Sequence, residues 1–368
     1  MWTIINKYHW GTIRETFEWI RDMENVPQDI IYHQEGNVAI HTRMVLEALQ
    51  ELPEFQGRSE QEQHILCAAA LLHDVEKRST TREEPGSRIS ARGHALRGEY
   101  TARAILYRDQ LAPFYIREAV TKLVRYHGFP IWALDKFDSQ RKLLKASLEI
   151  DTQLLYIIAK ADILGRICED QNDLLYRLEL FREYCQEKDC WGQAYPFPSV
   201  RARFNYFQKS DAWPDYDPHP KDSAEIIILS GLPGVGKDTY IQKHYAELPV
   251  ISLDALRSKY KVAHSDYKGV GKIIQAAREM ARQYLRRSQP FVWNSTNLTK
   301  LNRGPIIDLC TAYKARAKLI YLEVPYQKLI EQNASREVVV PLKVINRYIN
   351  KLEMPSPAEA QEVVYEVS

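Results

Sequence analysis

Residues 226–239 read Ile-Ile-Ile-Leu-Ser-Gly-Leu-Pro-Gly-Val-Gly-Lys-Asp-Thr, and this stretch decides the fold of the second half of the chain. An apolar run this short, closed by glycines, reads as a buried strand entering a tight loop. Gly231, Gly234 and Gly236 let the backbone curl so that its N–H groups face inward. The helix expected next adds partial positive charge, and Lys237 supplies a full one. Strand, loop and helix together make a cradle for phosphates. Further apolar runs at 249–252, 291–293 and 318–324 alternate with helical stretches at 237–247, 254–260 and 270–287. That alternation predicts an α/β three-layer domain with a parallel sheet over residues 222–368.

Several polar residues fall where a parallel sheet meets its ligands, at the carboxyl ends of the strands. Asp238 and Thr239 follow the lysine. Ser or Thr is usual at position 238, where a hydroxyl helps hold Mg²⁺. Asp238 either binds that metal, directly or through water, or is an acid favoured by the helix dipole. Asp254, after the second strand, can take a proton from an attacking hydroxyl or can cap its helix. Arg257 shares its helical face and can hold an acceptor phosphate. Thr296 and Asn297 follow the third strand, with Arg303 beyond. Arg336 lies where a lid is expected and would neutralise a transferring phosphoryl group, unless it is a solvated surface residue.

Helical spacing dominates the first half. Segments 37–50, 61–76, 96–107, 116–126, 143–168 and 173–185 carry the pattern, so residues 1–190 are expected to be all-α. His73 and Asp74 close the apolar segment 61–76. His41, His94 and His127 lie on or beside other predicted helices. Asp162 places a charge inside an apolar stretch, where it calls for a partner or a metal. Imidazoles mixed with carboxylates suit Mn, Fe, Co, Ni or Zn, and one carboxylate can bridge two such ions. Lys77 lies one turn beyond Asp74.

Residues 191–221 are rich in Pro and aromatics without a period, and are expected to form a packed connector covering Trp191, Tyr195, Phe197, Phe204, Tyr206, Phe207 and Trp213. The net charge of +2 neither calls for nor excludes a nucleic acid. The five cysteines include no CxxC pair, which points to reduced structural thiols and a cytoplasmic location. The N-terminus lacks a basic start followed by an apolar run, so no secretory leader is expected. No apolar stretch is long enough for a bilayer, so no membrane partner is expected.

Taken in order, the loop, Asp254-x-x-Arg257, the Thr296–Asn297 pair and Arg336 resemble bacteriophage-type polynucleotide kinase over about residues 222–350; Asp238 departs from that pattern. The resemblance implies ATP or another NTP with Mg as donor. It makes Asp254 the general base on a 5′-OH, Arg257 the ligand of the acceptor's 3′ phosphate, and Lys237 and Arg336 the residues that stabilise the phosphates.

The order His41…His73-Asp74…His94…His127…Asp162 resembles the HD phosphohydrolase superfamily over about residues 25–185. It implies one metal site at His41, His73, Asp74 and Asp162, extended to two metals by His94 and His127, with Lys77 near the scissile phosphate. Tyr32-His33-Gln34-Glu35-Gly36 is similar to an element of the HD domains of some tRNA nucleotidyltransferases, with His33 beside the ligands or facing substrate. Together the modules resemble the bacterial HD-Pnk family of RNA-repair enzymes. That family implies removal of 2′-, 3′- or 2′,3′-cyclic phosphates and phosphorylation of 5′-OH ends on RNA or DNA, with a separate RNA ligase downstream. Two alternatives stay open: a nucleotide-salvage kinase fused to a nucleotidase, and a kinase regulated by a non-catalytic, ligand-sensing HD module.

Overall fold

The helices of the first half begin where the sequence supplies an acceptor for free backbone N–H groups. The computed structural model describes residues 1–86, 88–135, 137–219, 224–263 and 266–367. In it Asn37 caps the helix Val38–Glu51, Ser59 and Glu62 form a reciprocal capping box on Glu60–Leu72, and Asp151 caps Thr152–Leu164. Every residue from Ile65 to Leu72 is buried. Full burial of a large aliphatic side chain contributes about 1.5–3 kcal/mol, so this helix anchors the core of the first unit, Met1–Pro196.

Two expected helices end differently. The segment 61–76 stops at Leu72 and turns through His73–Glu76. The segment 143–168 is two helices, Ser139–Ser147 and Thr152–Leu164, because Asp151 accepts from the backbone N–H groups of Gln153 and Leu154 and starts the chain afresh. The unit is also not purely helical. Strands β1 (Arg82–Glu84) and β2 (Arg88–Ser90) form an antiparallel hairpin. Their short, mostly charged sequences offer no apolar alternation by which to recognise them.

Two packing devices set the helix spacing. Arg103, fully buried, bonds Glu99 at 2.9 Å and Glu118 at 2.9 Å, tying the helix His94–Ala104 to Phe114–Tyr126. Gly165 lets Val38–Glu51 close on Thr152–Leu164, since a Cβ at that position would lie 2.7 Å from Val45 Cα.

The second unit, Phe197–Ser368, is built on strands β3 (Glu225–Ser230), β4 (Val250–Ser252), β5 (Phe291–Asn294), β6 (Arg316–Glu323) and β7 (Glu362–Val367). They form one parallel sheet in the order β4-β5-β3-β6-β7. The central strand is apolar on both faces, and Ile226 to Leu229 are buried. Strand β7 lay outside the expected set because it pairs at the sheet edge and its side chains are only partly covered.

The aromatic segment 191–221 is divided between the units. Trp191 and Tyr195 pack on the first core, whereas Phe204, on the helix Val200–Gln208, joins the second. Trp213 is exposed rather than covered. The expected junction at residues 221–222 lies outside the described residues.

Arg103→Met leaves Glu99 and Glu118 short of a buried cation. Breaking such a pair costs about 3 kcal/mol. The expected result is a matching fall in the urea midpoint of the helical unit, followed by far-ultraviolet circular dichroism.

Candidate metal centre and phosphate-binding loop

Six side chains from five helices meet in the first unit. His41 comes from Val38–Glu51, His73 and Asp74 from the end of Glu60–Leu72, His94 from the start of His94–Ala104, His127 from the end of Phe114–Tyr126, and Asp162 from Thr152–Leu164. They fall into two triads, His41–His73–Asp162 and Asp74–His94–His127, whose potential ligand atoms lie within 4.8 Å of one another. The Asp74 carboxylate joins them. Its Oδ2 is 3.2 Å from His73 Nε2 and 3.7 Å from His41 Nε2. Its Oδ1 is 3.3 Å from His94 Nε2 and 3.9 Å from His127 Nε2.

The outer nitrogens of the imidazoles have acceptors. Nδ1 lies 2.7 Å from Ala70 O in His73, 2.7 Å from Ala91 O in His94 and 2.8 Å from Val124 O in His127. His41 Nδ1 lies 2.9 Å from Glu35 Oε1 and 3.2 Å from Gly165 O. These acceptors assign the protons to Nδ1, which turns four Nε2 lone pairs inward. The lone pairs approach closely, at 3.4 Å between His41 and His73 and 3.3 Å between His94 and His127. His41 Nε2 also lies 3.1 Å from Asp162 Oδ1. Such contacts repel unless positive charge stands between them. Asp74 Oδ1 is buried with no hydrogen-bond partner. The donor set therefore fits one or two divalent cations of the imidazole–carboxylate class.

Electrostatics agree. Burial alone would raise both carboxyls. Lys77 and His73 around Asp74, and Arg166 and His41 around Asp162, outweigh it and hold both well below the usual carboxylate range. Burial, reinforced by His73 and His94, pushes His127 down to about 3, and burial also lowers His94. Both stay neutral at pH 7, as ligands must. Against burial, Asp74 raises His73. A proton there and a cation answer the same demand for positive charge.

Lys77 Nζ sits 2.8 Å from Asp74 Oδ2 and 2.7 Å from Gln28 Oε1. His33 is not among the six; its Nδ1 lies 2.8 Å from Glu35 Oε1. Glu35 and Arg166 carry parts that the residue pattern did not assign. Glu35 orients His41, and Arg166 pairs with Asp162. The spacing of four residues from Asp162 to Arg166, inside the helical segment expected at 143–168, was a legible signal for the second, although the helix itself ends at Leu164.

The phosphate-binding loop of the second unit leaves the carboxyl end of β3. Gly231, at φ 155°, passes so close to β6 that a Cβ would lie 2.6 Å from Leu322 O. Its N–H donates to Thr296 O at 2.9 Å, which pins the loop's start. Gly234 and Gly236 complete the curl with positive φ, and Lys237 opens the helix Lys237–His244. Lys237 Nζ donates to Gly231 O at 3.0 Å and Leu232 O at 2.9 Å. Burial, with Arg336 adding to it, lowers Lys237 to about 8 against the opposing pull of Asp238 and Asp254. Asp238 Oδ1 accepts from Asn294 Nδ2 at 2.6 Å, so the acid is held at the end of β5. Thr239 is exposed on the first turn.

Other expected contacts differ. The cap of the helix Leu253–Lys259 is Ser252, so Asp254 is not its N-cap. Asp254 is 80% exposed and pairs with Arg257 at 2.5 Å. Asn297 does not face a substrate: it is buried, and its amide donates to Leu229 O at 2.7 Å. Arg303 is buried too, bonded to Glu359 at 2.8 and 3.0 Å. Arg336 is exposed on the segment that follows Tyr326–Ala334. Asn333, near Gly234, clamps the far end of that segment through both the N–H and the C=O of Val340.

With this geometry in view, comparison with known proteins is direct. Residues 38–167 match the HD domain family model and residues 226–355 the AAA domain model. The chain thus matches an HD domain and then an AAA domain, each over less than half of its length. An L-seryl-tRNA(Sec) kinase of Methanococcus maripaludis is 24% identical over 145 residues, which are 38% of this chain and 56% of that protein. The chain thus spans little more than half the length of that relative. Among solved structures, the Pnkp1/Rnl/Hen1 complex is 18% identical, with 34% of this chain and 43% of the other covered at a TM-score of 0.30. A gluconokinase from Sinorhizobium meliloti is 16% identical, with 40% and 84% covered at a TM-score of 0.30. No helix among the described residues is long and apolar enough to cross a membrane.

Two outcomes follow from the geometry. Asp74→Asn removes the shared carboxylate charge, so metal analysis after loading and desalting should fall from about two ions per chain to one or fewer; unchanged stoichiometry would exclude the bridging role. Lys237, lowered to about 8, is charged below that pH and neutral above it. A bound triphosphate restores its proton, so ATP affinity should fall as pH rises past 8. Titration calorimetry in buffers of different ionisation enthalpy should then record proton uptake on binding.

Proposed function

We propose that the chain is a bifunctional polynucleotide end-healing enzyme. Its HD half removes 2′-, 3′- or 2′,3′-cyclic phosphates, and its kinase-like half phosphorylates 5′-OH ends. The observation that carries this reading is the Asp74 carboxylate shared between two histidine triads, in a chain that also holds a phosphate cradle. One half suits hydrolysis of a phosphoester, the other phosphoryl transfer.

His41, His73, Asp74, His94, His127 and Asp162 would hold divalent cations, which would supply an activated water and a clamp for the phosphoester. Glu35 fixes His41, Arg166 neutralises Asp162, and Lys77 presents a cation beside Asp74 for the scissile phosphate. His94 is the most exposed of the six and marks the side from which substrate enters. In the kinase half, loop N–H groups and Lys237 hold the donor phosphates, and Asp238 and Thr239 would hold an Mg²⁺ that would offset their charge. Asp254 takes the 5′-OH proton. Arg257, released from Asp254, binds the acceptor's 3′ phosphate, with Thr296 beside it. Arg336 closes on the transferring group. The products are ends for a separate RNA ligase.

The match to a seryl-tRNA kinase favours a second reading of the kinase half alone, in which the acceptor hydroxyl is not a 5′ end.

An RNA with a 5′-OH and a 3′-phosphate, incubated with ATP and metal and resolved at both ends, decides between them. The wild type should change both ends. His73→Ala should lose 3′ processing by at least about a hundredfold and keep 5′ phosphorylation, and Lys237→Ala the reverse. Phosphorylation of free nucleosides or seryl-tRNA, with the 5′-OH untouched, would overturn the end-healing reading.

A further inference from the structure

The HD half has more in its cavity than metal ligands. A cavity of about 650 Å³ lies over the triads, with His94, Lys77 and Arg166 in its wall. Its wall also carries Tyr32 and Trp132, two large aromatic side chains that are each 45% exposed. Neither is loose. Arg88 lies 5.5 Å from the centre of the Tyr32 ring and Arg177 5.2 Å from that of Trp132. Each arginine is itself anchored, Arg88 by Asp29 at 2.7 Å and Arg177 by Asp135 at 2.6 Å and Asp173 at 2.8 Å. Cation–π contact on a tethered guanidinium orients a ring that would otherwise turn freely in water.

A second feature of the wall also asks for a ligand. Gln28 is only 9% exposed; its Oε1 accepts from Lys77, but its Nε2 is buried with no partner. A buried amide donor without an acceptor destabilises the fold, and a ligand oxygen would remove that penalty.

Taking the phosphoesterase reading above as its basis, we propose that this cavity is a nucleoside-binding subsite: the base of the phosphate-bearing nucleotide stacks on Trp132, with Tyr32 as a further aromatic wall, and Gln28 Nε2 donates to a ribose or phosphate oxygen. A phosphosugar or other base-less phosphomonoester would use the cations and leave both rings bare. The HD half thus recognises the nucleotide as well as its phosphate. Stacking is tolerant of base identity, since every base presents a π-face.

The test compares adenosine 3′-phosphate with glycerol phosphate on the metal-loaded full chain. The wild type should prefer the nucleotide in kcat/KM by at least about tenfold, the scale of one base–aromatic stack. Trp132→Ala should lower that preference about tenfold, mainly through KM, and Trp132→Phe should retain most of it. Equilibrium dialysis of adenosine 3′-phosphate should show the same loss of affinity in Trp132→Ala. A wild-type preference near unity, or a preference and affinity unmoved by Trp132→Ala, would overturn the subsite. If neither compound is hydrolysed, the phosphoesterase reading fails, and dialysis alone still decides the subsite.

Discussion

The helical half is organised around one carboxylate. Asp74 directs one oxygen toward His41 and His73 and the other toward His94 and His127, so side chains from four helices depend on a single side-chain rotation. Burying that anion is costly without positive charge beside it. Lys77 supplies part of the compensation, and the convergent imidazole nitrogens leave room for the rest. Much of what surrounds the site can be read as support for this arrangement: the capped helices, the Arg103 network that fixes the His94 and His127 helices, and the carbonyls that orient each ring.

The second unit follows a different logic. Its loop is shaped by backbone rather than by a shared carboxylate. The loop after β3 is fixed by a glycine too close to β6 to be anything else and by the carbonyl of Thr296, so its N–H groups are aimed before any ligand arrives. The lysine rests meanwhile on two carbonyls of its own loop. Two kinds of candidate site, one of convergent side chains and one of curled backbone, thus stand in one polypeptide.

Residue type and order were legible in the sequence; direction was not. The loop at 231–239, four of the five strands of its sheet and most helices of the first half follow from apolar periodicity and glycine placement. The residues His41, His73, Asp74, His94, His127 and Asp162 stood out by type, and the resemblance of their order to the HD superfamily joined them into one site, although His41 and Asp162 stand 121 residues apart. Periodicity does not say which way a side chain turns after a strand ends, so Asn297 was expected outward and lies inward on Leu229. It does not reveal pairings between loops and helices, so Glu35 carried no assigned task. Short polar strands such as β1 and β2 lack apolar alternation altogether.

Gly165 shows how narrowly such a site is built. Its missing side chain sets the distance between the helix of His41 and the helix of Asp162, and its carbonyl meets the outer nitrogen of His41. One backbone position therefore governs both the separation of two would-be ligands and the tilt of one of them. A single added methyl group, neutral in charge, would be felt as a change in the spacing of His41 and Asp162.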